Sequence, residues 1–220
     1  MTDFTMKTDA DGVAVITWDV AGKSMNVMSI DGLDQLDALI DEALADDAIK
    51  GVVITSGKEG SFAGGMDLNL LAKMRADAGD DPAKGLFDGT MRMHALLRKI
   101  ERAGMDPKTL KGGKPIASAL PGTAAGIGLE LPLATHRIFA ADNPKARIGL
   151  PEILVGIFPG GGGTTRLNFK LGAMAASPFL LEGKMVAPAA AVKAGLIDEV
   201  AADPVAAAKE WVLNAKDADL

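Results

Sequence analysis

A chain of 220 residues, 48% hydrophobic, can bury a sizeable core as one domain. Its net charge of −6 and pI near 5.0, without a basic run, argue against a nucleic-acid binder. The absence of cysteine excludes disulfides, thiolate metal sites and a cysteine nucleophile.

The first ten residues, Met1 to Ala10, carry acids where a secretion signal needs a basic start and an apolar run, so a cytoplasmic location is expected. Val13–Trp18 reads as a short strand. Asp31–Leu44 places Leu33, Leu36, Leu39, Ile40 and Leu44 at helical spacing, and Gly51–Ser56 reads as a buried strand closed by Gly57 and Gly60. A helix is expected over Leu68–Arg75, then a loop over Ala76–Gly85, then an amphipathic helix carrying Met91, Ala95, Leu96, Leu97 and Ile100. Pro115–Ala134 has one charge in twenty residues, the length of a membrane span. Its three prolines and three glycines break such a helix, and the segment parses as a strand (Pro115–Leu120), a glycine loop (Pro121–Ala125) and a buried helix from about Gly126. Strands at Arg137–Ala141 and Ala146–Leu150 follow, then helices near Thr164–Leu171, Ala173–Leu181, Pro188–Ala194 and Val205–Leu213. This alternation predicts an α/β fold with crossover helices and a mostly parallel sheet, whose sites form at strand C-terminal ends.

Three segments have that character. Ser61-Phe-Ala-Gly-Gly-Met-Asp67 follows a strand, and its paired glycines can turn the backbone sharply and leave amides free; a plain turn with Asp67 as a helix cap is the alternative. Pro121-Gly-Thr-Ala-Ala-Gly-Ile-Gly-Leu-Glu130 can present a second amide and delivers one carboxylate into apolar sequence. A desolvated, unpaired carboxylate titrates upward, toward the range a general acid/base needs. Two such amides on one oxygen would form an oxyanion hole. In Leu150-Pro-Glu152-Ile-Leu-Val-Gly-Ile-Phe-Pro-Gly-Gly-Gly-Gly-Thr-Thr165, Glu152 is either a second functional carboxylate or a helix-start acid. Gly160–Gly163 lacks the lysine of a phosphate-binding loop, which favours a tight turn feeding a helix.

Other chemistries fit poorly. Gly126-Ile-Gly128 lacks the third glycine of a dinucleotide fingerprint, and no Gly-x-Ser-x-Gly elbow occurs. His94 and His136 are too few and too scattered for a metal site and read as structural. Lys108, Lys111 and Lys114 read as a solvated loop, with a phosphate contact as the alternative.

Together the two glycine turns, the glutamate three residues beyond the second, and Pro-Glu ahead of Pro-Gly-Gly-Gly-Gly resemble the crotonase superfamily of enoyl-CoA hydratases and isomerases, over Val13 to Val200. Ser24-Met-Asn26 is similar to that family's early coenzyme A segment. The resemblance implies an α/β crotonase (ClpP/crotonase-like) fold of repeated ββα units with C-terminal helices, a hydratase domain over 1–200, and the truncated start of a C-terminal helix or linker over 201–220. It implies Met66 and Ile127 as the oxyanion amides and Glu130 and Glu152 as the carboxylates that work on water. Lys23, Ser24, Met25, Gly65, Asp67, Leu68, Asn69 and Gly126 would contact the substrate or its coenzyme A. Ile127 departs from the glycine common in hydratases, and a β-branched residue tolerates the position only at negative φ. The reaction implied is hydration of a 2-enoyl-CoA to a 3-hydroxyacyl-CoA; alternatives are Δ3-Δ2 isomerisation or a silent acyl-CoA-binding or assembly module. The length of the middle region resembles the hydratase part of a bifunctional β-oxidation protein. NAD would then belong to a dehydrogenase part outside this chain, no cofactor or metal is expected within it, and homo-oligomerisation or a thiolase partner is implied.

Overall fold

The computed structural model describes residues 2–66 and 81–220. In it, β1 (Phe4–Thr8) pairs antiparallel with β2 (Val13–Trp18), and Phe4 stacks on Trp18 with ring centroids 5.1 Å apart. Helix α1 (Ile30–Ala45) is capped by the Ser29 hydroxyl, which accepts the Gly32 N–H at 2.9 Å, and buries Leu33, Leu36 and Ile40. β3 (Gly51–Ser56) then pairs parallel with β2.

The expected loop over Ala76–Gly85 is corrected at its C-terminal end. Helix α2 runs Pro82–Arg102, with Asp81 accepting the Lys84 N–H and Pro82 in the first turn. Asp-Pro is a helix-start signal as well as a loop signal, and here it starts the helix. The expected helix over 68–75 and the loop residues 76–80 lie outside the described residues.

The remaining elements are β5 (Ile116–Leu120), β6 (Thr123–Ala125), α3 (Ile127–Leu133), β7 (Arg137–Ala141), β8 (Ile148–Gly149), a 3-10 turn over Glu152–Val155, α4 (Gly163–Leu171), α5 (Ala173–Leu181), β9 (Met185–Val186), α6 (Pro188–Ala194), β10 (Glu199–Ala201) and α7 (Pro204–Asn214). Between β3 and α2 lies β4 (Ser61–Ala63). Among the described residues, one sheet has the order β1-β2-β3-β5-β7-β10, parallel from β2 onward, and a second has the order β4-β6-β8-β9. Three strands of the first sheet each hand the chain to a short strand of the second: β3 to β4, β5 to β6, β7 to β8. In the latter two units a helical segment follows, which is the expected ββα repeat.

Both faces of the large sheet are covered. Ala14, Ile16, Val52, Ile54, Ile116, Leu120, Ile138 and Ala140 face the main core, while the alternating Val13, Val53, Ala117, Ala119 and Phe139 pack with Ala208 and Val212 of α7. Burial on both faces is why these strands read as unbroken apolar runs. Residues 201–220 thus supply a helix that lies on the sheet. Beyond the added five-residue β1, the short strands differ from expectation: β9 and β10 are additions, β4 and β6 replace expected turn and loop, and Ala146–Leu150 contracts to β8. Strands of two or three residues carry no readable period.

Candidate active site

The second sheet aligns the two glycine turns. β4 and β6 run parallel with Ser61 opposite Thr123, so Gly64-Gly65-Met66 and Gly126-Ile127 emerge side by side. Gly126 has φ +56°, and a Cβ there would lie 3.6 Å from the Gly65 Cα and 3.0 Å from the Glu152 Oε1. The left-handed backbone falls on this glycine and not on Ile127, so the isoleucine sits in the first turn of α3 without strain. Its N–H, at the first helical position, has no acceptor among the described residues. Met66 forms an isolated parallel bridge with Met28 that uses the Gly65 carbonyl, 3.0 Å from the Met28 N, and leaves the Met66 N–H unengaged among the described residues.

Asn26 holds that first turn in place. It is fully buried; its Oδ1 accepts the Val20 N–H at 2.9 Å, and its Nδ2 lies 2.8 Å from the Trp18 carbonyl, 2.9 Å from that of Phe62 and 3.0 Å from the Ser56 hydroxyl. Its own carbonyl accepts the Gly64 N–H at 2.9 Å. The segment whose asparagine the sequence associates with coenzyme A therefore contains a structural pin, which the spacing alone did not reveal.

Glu130, one turn into α3, is 3% exposed, and its Oε1 accepts the Gly163 N–H at 2.8 Å; the nearby Gly161 amide also favours its anion. A Cβ at Gly161 would lie 2.8 Å from Oε2, and one at Gly163 would lie 2.9 Å from Oε1. Gly161 and Gly163 of the Gly160–Gly163 run are thus bare backbone because a carboxyl group occupies the space their side chains would need, which fits a tight turn and not a phosphate cradle. Burial, joined by the charge of Glu152, pushes the Glu130 carboxyl up from 4.5 to about 7, against the glycine amides and Arg166, which favour its anion.

Glu152 opens the 3-10 turn and is half-buried, with Oε2 enclosed and without a hydrogen-bond partner among the described residues. Burial raises its pKa also. Glu130, Glu152, Met66 and Ile127 all line one cavity of about 1170 Å³ whose walls are mainly apolar. A carbonyl oxygen held between the two amides would share this mainly apolar cavity with two carboxyl groups.

The profile described as enoyl-CoA hydratase/isomerase matches residues 8–217. The chain belongs to the enoyl-CoA hydratase/isomerase family. Among relatives of this family member, the fatty acid oxidation complex subunit alpha of Idiomarina loihiensis is 38% identical over 199 residues, and that of Shewanella amazonensis is 34% identical over 202. These alignments cover 90% and 92% of the chain and 26% of each relative, so the chain spans about a quarter of their length. Among solved structures, enoyl-CoA hydratase from Thermoplasma volcanium is 25% identical with a TM-score of 0.81, covering 99% of this chain and 79% of that one. Human mitochondrial delta3-delta2-enoyl-CoA isomerase is likewise 25% identical, with a TM-score of 0.80 and coverage of 96% and 76%. The expected crotonase fold is borne out.

In this enoyl-CoA hydratase/isomerase family member the other expected site residues divide. Gly65, Gly126 and Lys23 line the cavity. Met25 stands behind the wall, where a Cβ on Gly64 would come within 2.3 Å of its sulfur, and Ser24 is exposed and does not line the cavity. Asp67, Leu68 and Asn69 lie outside the described residues. His136 is structural, as expected: its Nδ1 accepts the Ile116 N–H at 2.9 Å. His94 lines the cavity, which its place on an amphipathic helix did not suggest. Of the lysine cluster, Lys114 binds the carbonyls of Ala43 and Asp46 and so helps close the end of α1. Among the described residues no helix is long and apolar enough to cross a membrane, and no cluster of His, Asp and Glu could hold a metal.

Proposed function

We propose that this chain hydrates 2-enoyl-CoA thioesters to 3-hydroxyacyl-CoA, with Met66 and Ile127 as oxyanion donors and Glu130 and Glu152 as the acid/base pair. The observation that carries this reading is the convergence of two carboxyl groups and two amides, unengaged among the described residues, on one mainly apolar cavity. The thioester oxygen sits between the amides, where negative charge develops as C3 is attacked; a donor of this kind contributes about 10²–10³ in rate. Water gives its hydroxyl to C3 and a proton to one carboxylate, while the other carboxyl group delivers a proton to C2. The pair ends with the number of protons it began with. Burial raises both carboxyl groups, Glu130 to about 7, which keeps a proton available to the pair near neutral pH, as this sequence requires.

The substrate brings its own coenzyme A, and the chain itself needs no cofactor or metal. Lys23 at the cavity wall would meet the coenzyme A portion, with Ser24 and Met25 nearby, and Asp67, Leu68 and Asn69 complete the proposed contacts. The relatives' name, fatty acid oxidation complex subunit alpha, supports a place in fatty-acid oxidation. The proposal extends to a longer cytoplasmic protein with an NAD-dependent 3-hydroxyacyl-CoA dehydrogenase part, self-associated or with a thiolase partner. The test follows absorbance of the conjugated thioester with a short and a long 2-enoyl-CoA. Loss of that absorbance with formation of the 3-hydroxy product is expected. Conversion of a 3-enoyl-CoA that survives Glu152→Gln would make isomerisation the reaction instead.

A further inference from the structure

We propose that Arg166 is a positioning residue for Glu130, acting through the backbone of Gly161–Gly163; the inference rests on the hydration reading above. The three-glycine loop is a single layer of backbone between a carboxyl group and a guanidinium. On one side, a Cβ at Gly161 would come within 2.8 Å of the Glu130 Oε2. On the other, a Cβ at Gly162 would come within 2.5 Å of the Arg166 Nη1. Gly162 has φ +93°, a conformation in which flanking N–H groups turn to one side, here onto Glu130. Arg166 holds the opposite side by donating from Nη1 to the Gly161 carbonyl at 3.1 Å.

The arginine is anchored in turn. It lies in α4 with its side chain 13% exposed, and its Nη2 is 3.5 Å from the Glu101 Oε2 near the end of α2. Glu101 also pairs with Arg98, and its backbone carbonyl meets His136 Nε2 at 3.3 Å, which ties that end of α2 to β5 through the Ile116 N–H. The Arg166 Nε is buried without an acceptor among the described residues. A cation with one donor unsatisfied and its carboxylate at 3.5 Å is a poor stabilising device, because desolvation offsets what such a pair contributes. Its geometry makes sense as a clamp on the loop that receives Glu130. The groups facing Glu130 are the Glu152 carboxyl, the Gly161 and Gly163 amides and Arg166 itself, and His94 lies beyond Gly162.

The test uses Arg166→Gln and Arg166→Lys with two readouts: steady-state hydration, and the titration of Glu130 followed by carboxyl 13C resonance, assigned by its disappearance in Glu130→Gln. Arg166→Gln is expected to lower kcat by about 10- to 100-fold with KM changed less than about threefold, as misplacement of a reacting group does. The Glu130 midpoint is expected to move up, since the neighbouring cation favours the carboxylate. Arg166→Lys keeps the charge without the fork, so it should leave the midpoint near that of the parent and recover part of kcat. A folded Arg166→Gln with parental kcat and an unmoved Glu130 midpoint overturns the proposal. Should Arg166→Gln not fold, Glu101→Gln decides: a loss of kcat of about threefold or more at constant KM supports the clamp, and parental kcat refutes it. A parent protein that hydrates nothing refutes the hydration reading, and the 13C titration still judges the clamp.

Discussion

Replacing Glu130 with glutamine should make the protein's stability less sensitive to pH while abolishing its chemistry. In the folded chain the Glu130 carboxyl is raised from 4.5 to about 7, chiefly by burial. A raised acid pKa means that the native state holds its proton more tightly than the unfolded chain does. The stability this supplies is therefore complete below about 4.5 and is lost as pH rises through about 7. Each pH unit of displacement corresponds to about 1.4 kcal/mol, so the group costs about 3 kcal/mol in full, of which about 2 kcal/mol or slightly more falls between pH 5 and 8. For a chain of this size that is roughly 4–10 °C in Tm. Glutamine cannot ionise, although its NH2 group must face one of the two glycine amides, at a cost of about 1–3 kcal/mol that does not depend on pH. The observable is thus the slope. Urea denaturation at pH 5, 6.5 and 8 should show the parent losing about 2 kcal/mol more than Glu130→Gln over this range. Equal slopes in the two proteins would refute the claim that Glu130 is buried with a perturbed pKa.

Further outcomes follow from the same geometry. If the pair works with one shared proton, kcat/KM should fall as pH rises through about 7, where Glu130 ionises; a profile that climbs through that point contradicts the shared proton. Ile127→Pro deletes one amide at a first-turn position where proline is well tolerated, and should lower kcat by about 10²–10³ with the fold retained by circular dichroism. Gly161→Ala would force a methyl group against Glu130 and the Ile127 side chain, and should reduce kcat at least about tenfold while Tm falls only modestly. Asn26→Ala strips a buried amide from several backbone groups at once, and should cost about 2–4 kcal/mol in denaturant titrations.

The parts of the fold legible in the sequence were those whose signal is local. Arg137–Ala141, Ala173–Leu181 and Pro188–Ala194 are bounded by the turn residues that also bound them in space. β4, β6 and β8 were obscure because two or three residues become a strand only through partners distant in sequence, as Ser61 does opposite Thr123. At the site, Glu130 declared itself as one charge in apolar sequence, and the structure adds its receptor, the Gly161 and Gly163 amides. The glycine run was visible, but its purpose was not: close approach between a loop and a side chain thirty-three residues away has no sequence period. Asn26 and Arg166 were missed as organisers for the same reason, since their partners come from several elements. The strain that a β-branched residue could have met at Ile127 is absent because Gly126 takes the positive φ.

The central claim is that two glutamates in one cavity add water across a conjugated thioester. Single-turnover hydration of a 2-enoyl-CoA by the parent, Glu130→Gln and Glu152→Gln, with thioester binding measured in parallel, tests it most directly. The expected result is turnover by the parent and a loss of about 10²-fold or more in each variant with binding retained. A parent that binds the thioester without hydrating it, or a variant that hydrates at the parental rate, would contradict the account.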